Sequence, residues 1–221
     1  MNRDEIARVI DHTMLKPDAT PAEIEQLCEE ALRYRFASVC INPSYVPLAA
    51  AKLGNTQVEV CTVIGFPLGA TTTTAKVCEA KQALDDGATE LDMVLHIGAL
   101  KAGERDRVEE DIAAVAIVCH EGGALLKVII ETALLSDEQK ILACEIAQDA
   151  DADFVKTSTG FAASGAKVED VKLMRETVRQ RIGVKAAGGI HSYEEAMAMI
   201  EAGATRIGAS AGIQIVEGAP A

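Results

Sequence analysis

The sequence predicts an α/β fold, an eight-stranded (β/α)8 TIM barrel, on three observations. Short apolar runs of strand length alternate with longer helical stretches along the whole chain. Those strands read as continuous apolar runs, as expected when both faces of a strand are covered. A helix stop feeding a strand also recurs: Gly87-Ala88-Thr89-Glu90-Leu91 echoes Gly203-Ala204-Thr205-Arg206-Ile207. Eight strands in 221 residues suit a single barrel domain over 1–221. An open doubly wound sheet is the alternative, and the first strand decides between the two, because without it only seven remain.

A short amphipathic stretch precedes that first strand, Ile10-Asp11-His12-Thr13. Thr20-Pro21-Ala22-Glu23 starts a helix with a capping-box Thr and Glu and with Pro at the first helical position. The helix runs to about Arg35. Ala37 to Ile41 is a strand closed by Asn42-Pro43, and Ala49 to Leu53 a short helix ending at Gly54. Val58 to Ile64 is an apolar strand that exits into Gly65-Phe66-Pro67-Leu68-Gly69. A helix from about Thr74 to Asp85 ends at Gly87, and Glu90 to Leu95 is the next strand. Glu104 to Glu121 reads as a helix stopped by Gly122-Gly123, followed by a strand from Leu125 to Ile130. Ser136 with Gln139 opens a helix by the same capping logic. Asp153 to Ser158 is a strand, Val168 to Arg181 a helix, and Gly183 to Ala186 a strand. Ser192 with Glu195 caps a helix ending at Gly203, and Arg206 to Ala209 is the last strand.

The formal charge of −13 argues against DNA, RNA or an anionic membrane surface as partner, so an anionic ligand needs local donors. Six scattered cysteines, Cys28, Cys40, Cys61, Cys78, Cys119 and Cys144, contain no C-x-x-C pair and fit free thiols in a reducing cytosol. Met1-Asn2-Arg3-Asp4-Glu5 carries acids where a signal peptide has its basic start. No charge-free apolar run reaches the length of a membrane span, and a cytoplasmic protein is expected. The four histidines lie far apart with no H-x-x-H, so no metal is expected.

In such a barrel the chemistry sits at the C-terminal ends of the strands. The polar residues near those ends are Asp11, Cys40, Asp92, Lys127, Lys156 and Lys185. Three of them are lysines in apolar strands, where a lysine must be neutral, paired or used. Structural ion pairs with Asp92 or Glu131 are one reading. The other is a site. At about 5 Å and an effective dielectric of about 20, two lysines repel by roughly 3 kcal/mol. That brings one amine from about 10.4 to about 8. A neutral amine attacks a carbonyl and forms an imine, while a carboxylate and the second lysine relay protons. The expected chemistry is therefore Schiff-base catalysis beside a carbonyl.

Gly160, Gly188-Gly189 and Gly208-Ala209-Ser210 follow the late strands. Their bare N–H groups beside a helix start suit a phosphate, although a tight turn alone explains any one of them. Thr71-Thr72-Thr73-Thr74-Ala75-Lys76 lacks the G-K-[ST] ending of a P-loop, which rules out ATP. Asp11-His12 reads either as an acid–base pair or as a hydrogen-bonded strand end. Cys40 reads as core filler or as a thiol near the site, and Glu109-Glu110-Asp111 as a solvated helix face.

Phe154-Val155-Lys156-Thr157-Ser158-Thr159-Gly160, Val184-Lys185-Ala186-Ala187-Gly188-Gly189-Ile190 and Glu90-Leu91-Asp92-Met93-Val94 together resemble signatures of the deoxyribose-phosphate aldolases. So do Val39-Cys40-Ile41-Asn42-Pro43 and Gly65-Phe66-Pro67-Leu68-Gly69-Ala70, and the likeness runs from about Asp11 to Ile213. The resemblance implies a class I aldolase on a (β/α)8 barrel, with no metal or cofactor. Such an enzyme interconverts 2-deoxy-D-ribose 5-phosphate with acetaldehyde and D-glyceraldehyde 3-phosphate in deoxynucleoside breakdown. It further implies Lys156 as the imine-forming lysine, Lys185 as the second lysine that perturbs it and moves protons, and Asp92 as the relay carboxylate. Gly160, Gly188, Gly189, Gly208 and Ser210 match the phosphate region, with Asp11, Cys40 and Lys127 as near-site residues. The implied partners are the phosphorylated sugar and acetaldehyde, and a homo-oligomer is compatible.

Three departures stand out. Ala211 follows Ser210 where some members carry a second serine, and His96 stands where asparagine is common. The last tyrosine is Tyr193, so no tyrosine-bearing tail is present, and a water held by Asp92 and Lys185 is left to move the proton. An imine-forming aldolase with a different donor and a non-catalytic sugar-phosphate barrel are the alternatives.

Overall fold

Eight strands form the centre of the computed structural model, which describes residues 1–220. They are β1 (Ile10–Met14), β2 (Ser38–Ile41), β3 (Glu59–Ile64), β4 (Glu90–Val94), β5 (Leu125–Ile129), β6 (Phe154–Lys156), β7 (Gly183–Ala187) and β8 (Arg206–Ala209). Each pairs in parallel with the next, and β8 pairs with β1, so the sheet closes as a barrel. The fold is the expected (β/α)8 barrel, and the first strand is present.

Ten α-helices accompany them among the described residues: α1 (Arg3–Ala7), α2 (Pro21–Tyr34), α3 (Val46–Leu53), α4 (Thr73–Asp85), α5 (Ile97–Lys101), α6 (Arg105–Glu121), α7 (Asp137–Asp149), α8 (Val168–Val178), α9 (Tyr193–Glu201) and α10 (Gly212–Gly218). The capping signals are used as read. Thr20, Ser136 and Ser192 each accept from the N–H three residues on, while Glu23, Gln139 and Glu195 return the bond. No helix among the described residues is long and apolar enough to cross a membrane.

Several boundaries differ from the sequence reading. α3 starts at Val46, behind a 3-10 turn over Pro43–Tyr45, because Pro47 suits the first turn of a helix. α8 stops at Val178, since Arg179 turns to φ 54°. β6 ends at Lys156, beyond which the Thr157 hydroxyl accepts from Ala187 N and donates to Ala187 O. α5 and α10 lie where no helix was expected.

Strand alternation sorts the side chains. Val39, Leu91, Met93, Leu126, Val128, Val155, Val184 and Ile207 point outward into the continuous core under the helices. The charged residues point inward. Near the N-terminal ends of the strands the Phe154 ring fills the barrel, and a Cβ on Gly183 would overlap it. The Arg206 guanidinium sits 5.6 Å from the centre of that ring. These residues floor the barrel beneath Lys127 and Lys185, which are wholly buried.

One outer element contradicts the sequence reading. Asp111 is buried rather than part of a solvated face: it accepts from Thr73 Oγ1 at 2.7 Å and from Lys76 Nζ at 2.5 Å. Lys76 also donates to Val94 O at 2.9 Å, so α4, α6 and the exit of β4 are tied by one buried lysine.

Candidate active site

Asp92 is the hub. It lies mid-strand on β4, paired with Lys127 on β5, and it faces inward. Lys127 Nζ donates to its Oδ1 at 2.8 Å. Lys156 Nζ from β6 and Lys185 Nζ from β7 both donate to its Oδ2 at 2.7 Å. Cys61 on β3 adds a thiol donor to Oδ1 at 3.2 Å. Lys156 and Lys185 stand at paired positions on neighbouring strands, and the Thr157 bonds to Ala187 lock that register.

The remaining groups form a second tier. Lys185 Nζ lies 2.5 Å from Asp11 Oδ2, and Lys127 Nζ lies 2.6 Å from Glu90 Oε2. Arg206 joins both acids, at 2.7 Å to Asp11 and 3.1 Å to Glu90. Asp11, Lys127, Lys156, Lys185 and Asp92 thus come together. Glu90, Cys61 and Arg206 belong to the same cluster and were not singled out in the sequence. Their signal was the period of two: Glu90 is two residues from Asp92, and Arg206 two from Gly208.

The two amines do not face each other bare, and this corrects the expectation of direct lysine–lysine repulsion. A shared carboxylate oxygen stands between them, so the nitrogens are at most twice 2.7 Å apart. Burial works to lower Lys185, but Asp11 and then Asp92 outweigh it and hold the ammonium well above its ordinary value. Burial likewise works against Lys127, and Asp92 and Glu90 hold it charged. Burial works to raise Asp92, yet Lys127, Lys156 and Lys185 together hold its carboxyl well below the usual range. Asp11 is also held low: burial is opposed by Lys185 and Arg206. Glu131 meets none of the lysines; it accepts from Thr159 N and Oγ1 on the loop after β6.

Charge counting shows what the arrangement can do. Lys127, Lys156, Lys185 and Arg206 face Asp11, Glu90 and Asp92, four cations against three carboxylates. The fully ionised set carries one surplus positive charge in a buried site, so losing one proton balances it. Lys127, Lys185 and Arg206 each touch two carboxylates, whereas Lys156 touches one. An amine in its uncharged form, beside held ammonium and carboxylate groups, is equipped to attack a carbonyl and to exchange protons with its neighbours.

The other expected residues fall at the mouth or in the wall. Gly160, Gly188 and Gly189 take positive φ at the exits of β6 and β7. Ser210 is exposed just past β8. Gly208 lies lower, inside the barrel, where its missing Cβ leaves room for Lys185 Cε and Ala187. Cys40 packs with Leu15, Cys61 and Val63, and with Phe66, as an apolar wall on the β1–β3 side. Phe66 meets Phe161 edge-on at 5.4 Å, joining the loops after β3 and β6. Asp11 and His12 are not an acid–base pair: Asp11 points inward, while His12 turns outward and meets Glu30 at 2.7 Å. His96 caps α5, accepting from Ala99 N at 3.2 Å.

Two sets of donors could in principle hold a metal: Cys40, Cys61 and Asp92, and Asp11, Cys61 and Glu90, each set with its ligand atoms within 4.8 Å of one another. Every carboxylate among them is already ion-paired with lysine or arginine, so a cation would have to displace an ammonium or guanidinium group.

A closed barrel that gathers buried lysines on one carboxylate below its mouth defines an imine-forming, class I aldolase. The family model of the DeoC/LacD aldolases matches residues 6–218, and the chain belongs to that family. It is 62% identical over 214 residues to the deoxyribose-phosphate aldolase of Caldanaerobacter subterraneus subsp. tengcongensis, covering 96% of this chain and 92% of that one. It is 60% identical to the deoxyribose-phosphate aldolase of Thermococcus kodakarensis, covering 100% of this chain and 99% of that one. The tetrameric deoxyribose phosphate aldolase structure from Aeropyrum pernix superposes with a TM-score of 0.90 at 35% identity, over 98% of this chain and 91% of that one.

Proposed function

We propose that this enzyme cleaves 2-deoxy-D-ribose 5-phosphate reversibly to acetaldehyde and D-glyceraldehyde 3-phosphate, through an imine on Lys156. The observation that carries the reading is Lys156 with its one carboxylate contact in a cluster one proton from balance. The neutral amine adds to C1 of the open-chain sugar, and loss of water gives the imine. Removal of the C3 hydroxyl proton breaks the C2–C3 bond, releases glyceraldehyde 3-phosphate and leaves an enamine on the nitrogen. Protonation at C2 and hydrolysis then release acetaldehyde and restore the amine. Asp92 and Lys185, 2.7 Å apart, serve as the acid–base pair that moves these protons, through water at the sugar carbons.

Gly160, Gly188 and Gly189 offer backbone N–H groups to the phosphate at the mouth, and the exposed Ser210 past β8 offers its hydroxyl. Gly208 gives Lys185 room. The free cysteines and the absence of a long apolar helix among the described residues agree with a cytoplasmic enzyme of nucleoside breakdown. A homo-oligomer fits the tetramer formed by the Aeropyrum pernix protein.

The test is borohydride reduction with acetaldehyde followed by peptide mapping. The adduct is expected on Lys156 and is expected to vanish in Lys156→Leu. Mapping to any other lysine overturns the assignment. A panel of donors settles the substrate: preference for a ketone over acetaldehyde would move the enzyme to another donor class.

A further inference from the structure

Beneath the amines lies a charged tier that no step of the reaction touches. Arg206, at the start of β8, bridges Asp11 on β1 and Glu90 on β4. Glu90 in turn holds Lys127 on β5. We propose that Arg206 and Glu90 are positioning residues that set the charge balance of the imine site from the barrel floor, through Asp11, Lys127, Lys185 and Asp92. The inference rests on Lys156 being the imine-forming lysine.

The ionisable groups that share the barrel interior with Lys156 come from every other strand. They are Asp11 (β1), Cys40 (β2), Cys61 (β3), Glu90 and Asp92 (β4), Lys127 (β5), Lys185 (β7) and Arg206 (β8). Burial pushes the Cys61 thiol up, so it counts as neutral, whereas its hydrogen bond to Cys61 draws the Cys40 thiol down; the count below is of the amines, the guanidinium and the carboxylates. The sign of the site then depends on the floor. With Arg206 present, four cations meet three carboxylates and one proton is surplus. Without Arg206 three cations meet three carboxylates and no positive charge is surplus. Without Glu90 four cations meet two carboxylates and the surplus grows to two. An unreactive guanidinium in the floor thus sets the charge balance around the amines above it. Direct contact is not needed, because the intervening groups are buried and ion-paired, where charges are weakly screened.

The test is the pH dependence of kcat/KM for the wild-type enzyme, Glu90→Gln, Arg206→Met and the double variant, with the borohydride adduct mapped in each. The acid limb reports the free enzyme's essential base. A unit charge acting across roughly 10 Å at an effective dielectric of about 20 moves a titration by about one pH unit. Glu90→Gln is expected to move the acid limb down by about that amount, and Arg206→Met to move it up. The double variant is expected to return close to the wild-type position. A merely structural role would lower activity without moving the limb in opposite directions.

A folded single variant whose limb stays within about 0.3 unit of wild type overturns the proposal. So do two single variants that shift the same way, or a double variant that does not return. If Arg206→Met does not fold, the direction of the Glu90→Gln shift decides. An adduct on Lys156 with unmoved limbs sinks this inference alone, whereas an adduct on another lysine sinks the imine assignment with it.

Discussion

Replacing Asp92 by Asn probes the cluster most directly. The side chain keeps its size and one acceptor but loses the charge that meets three ammonium groups, at 2.8, 2.7 and 2.7 Å. The surplus of positive charge rises from one to two, with the amine donors aimed at an amide. Removing one partner of a buried pair costs about 3–5 kcal/mol. Proton loss from the lysines relieves part of this, so about 3 kcal/mol at pH 7 is expected. The pH dependence follows from the direction of the shifts. Without the carboxylate Lys127 and Lys185 lose one of the charges that hold their protons, so the folded variant binds protons less tightly than the folded wild type. As pH rises the variant therefore loses less stability than wild type. The deficit of Asp92→Asn relative to wild type should therefore shrink from pH 7 to pH 10. Urea unfolding at both values measures it, and kcat should fall by 10²–10⁴-fold, the usual range for a lost acid–base group. A deficit that is the same at both pH values, or below about 1 kcal/mol, would refute the charge argument.

Other outcomes are open to simple measurement. Asp11 and Asp92 are held low, so their contribution to stability is present above about 3.9 and is lost as pH falls through their folded values; the urea midpoint should drop between pH 4 and 2, and less so in Asp11→Asn. Lys76→Met leaves Asp111 buried without its lysine and should cost about 3–5 kcal/mol by denaturation, with Lys76→Met/Asp111→Leu recovering most of it. Gly208→Ala puts a methyl 3.1 Å from Lys185 Cε and 3.0 Å from Ala187 Cβ, and should lower kcat with an overpacking loss of about 1–3 kcal/mol. With a water held by Asp92 and Lys185 as the proton carrier, solvent exchange into the methyl group of acetaldehyde should be slow by NMR, and rapid exchange would count against that carrier.

The barrel was legible because strand and helix lengths differ and because caps at Thr20, Ser136 and Ser192 are explicit. Alternation also placed Asp92, Lys127, Lys156 and Lys185 inside. What the sequence could not show is which acid meets which amine. That depends on the stagger of the strands around the barrel, which pairs Lys185 with Asp11 across β8 and puts Asp92 between two lysines. A one-dimensional reading measured lysine against lysine and missed the oxygen between them. Arg206 and Glu90 hid at the first positions of their strands, where charge usually means solvent. α10 opens without a side-chain cap, and α5 is capped by a histidine, so neither announced itself. Asp111 followed two acids on a helix, and only the approach of α4 to α6 takes it out of water.

Phe154, given space by the bare Gly183 and braced by Arg206, occupies the barrel at the end away from the mouth. With the imine on Lys156 and the phosphate at the rim, as proposed, whatever reacts arrives and departs by the mouth. The fragments of a broken sugar then queue: the three-carbon phosphate nearer the rim leaves first, and the two-carbon piece waits below. In synthesis the queue reverses. Acetaldehyde has to descend before the phosphorylated aldehyde, and an excess of the larger partner stoppers the mouth and slows its own condensation.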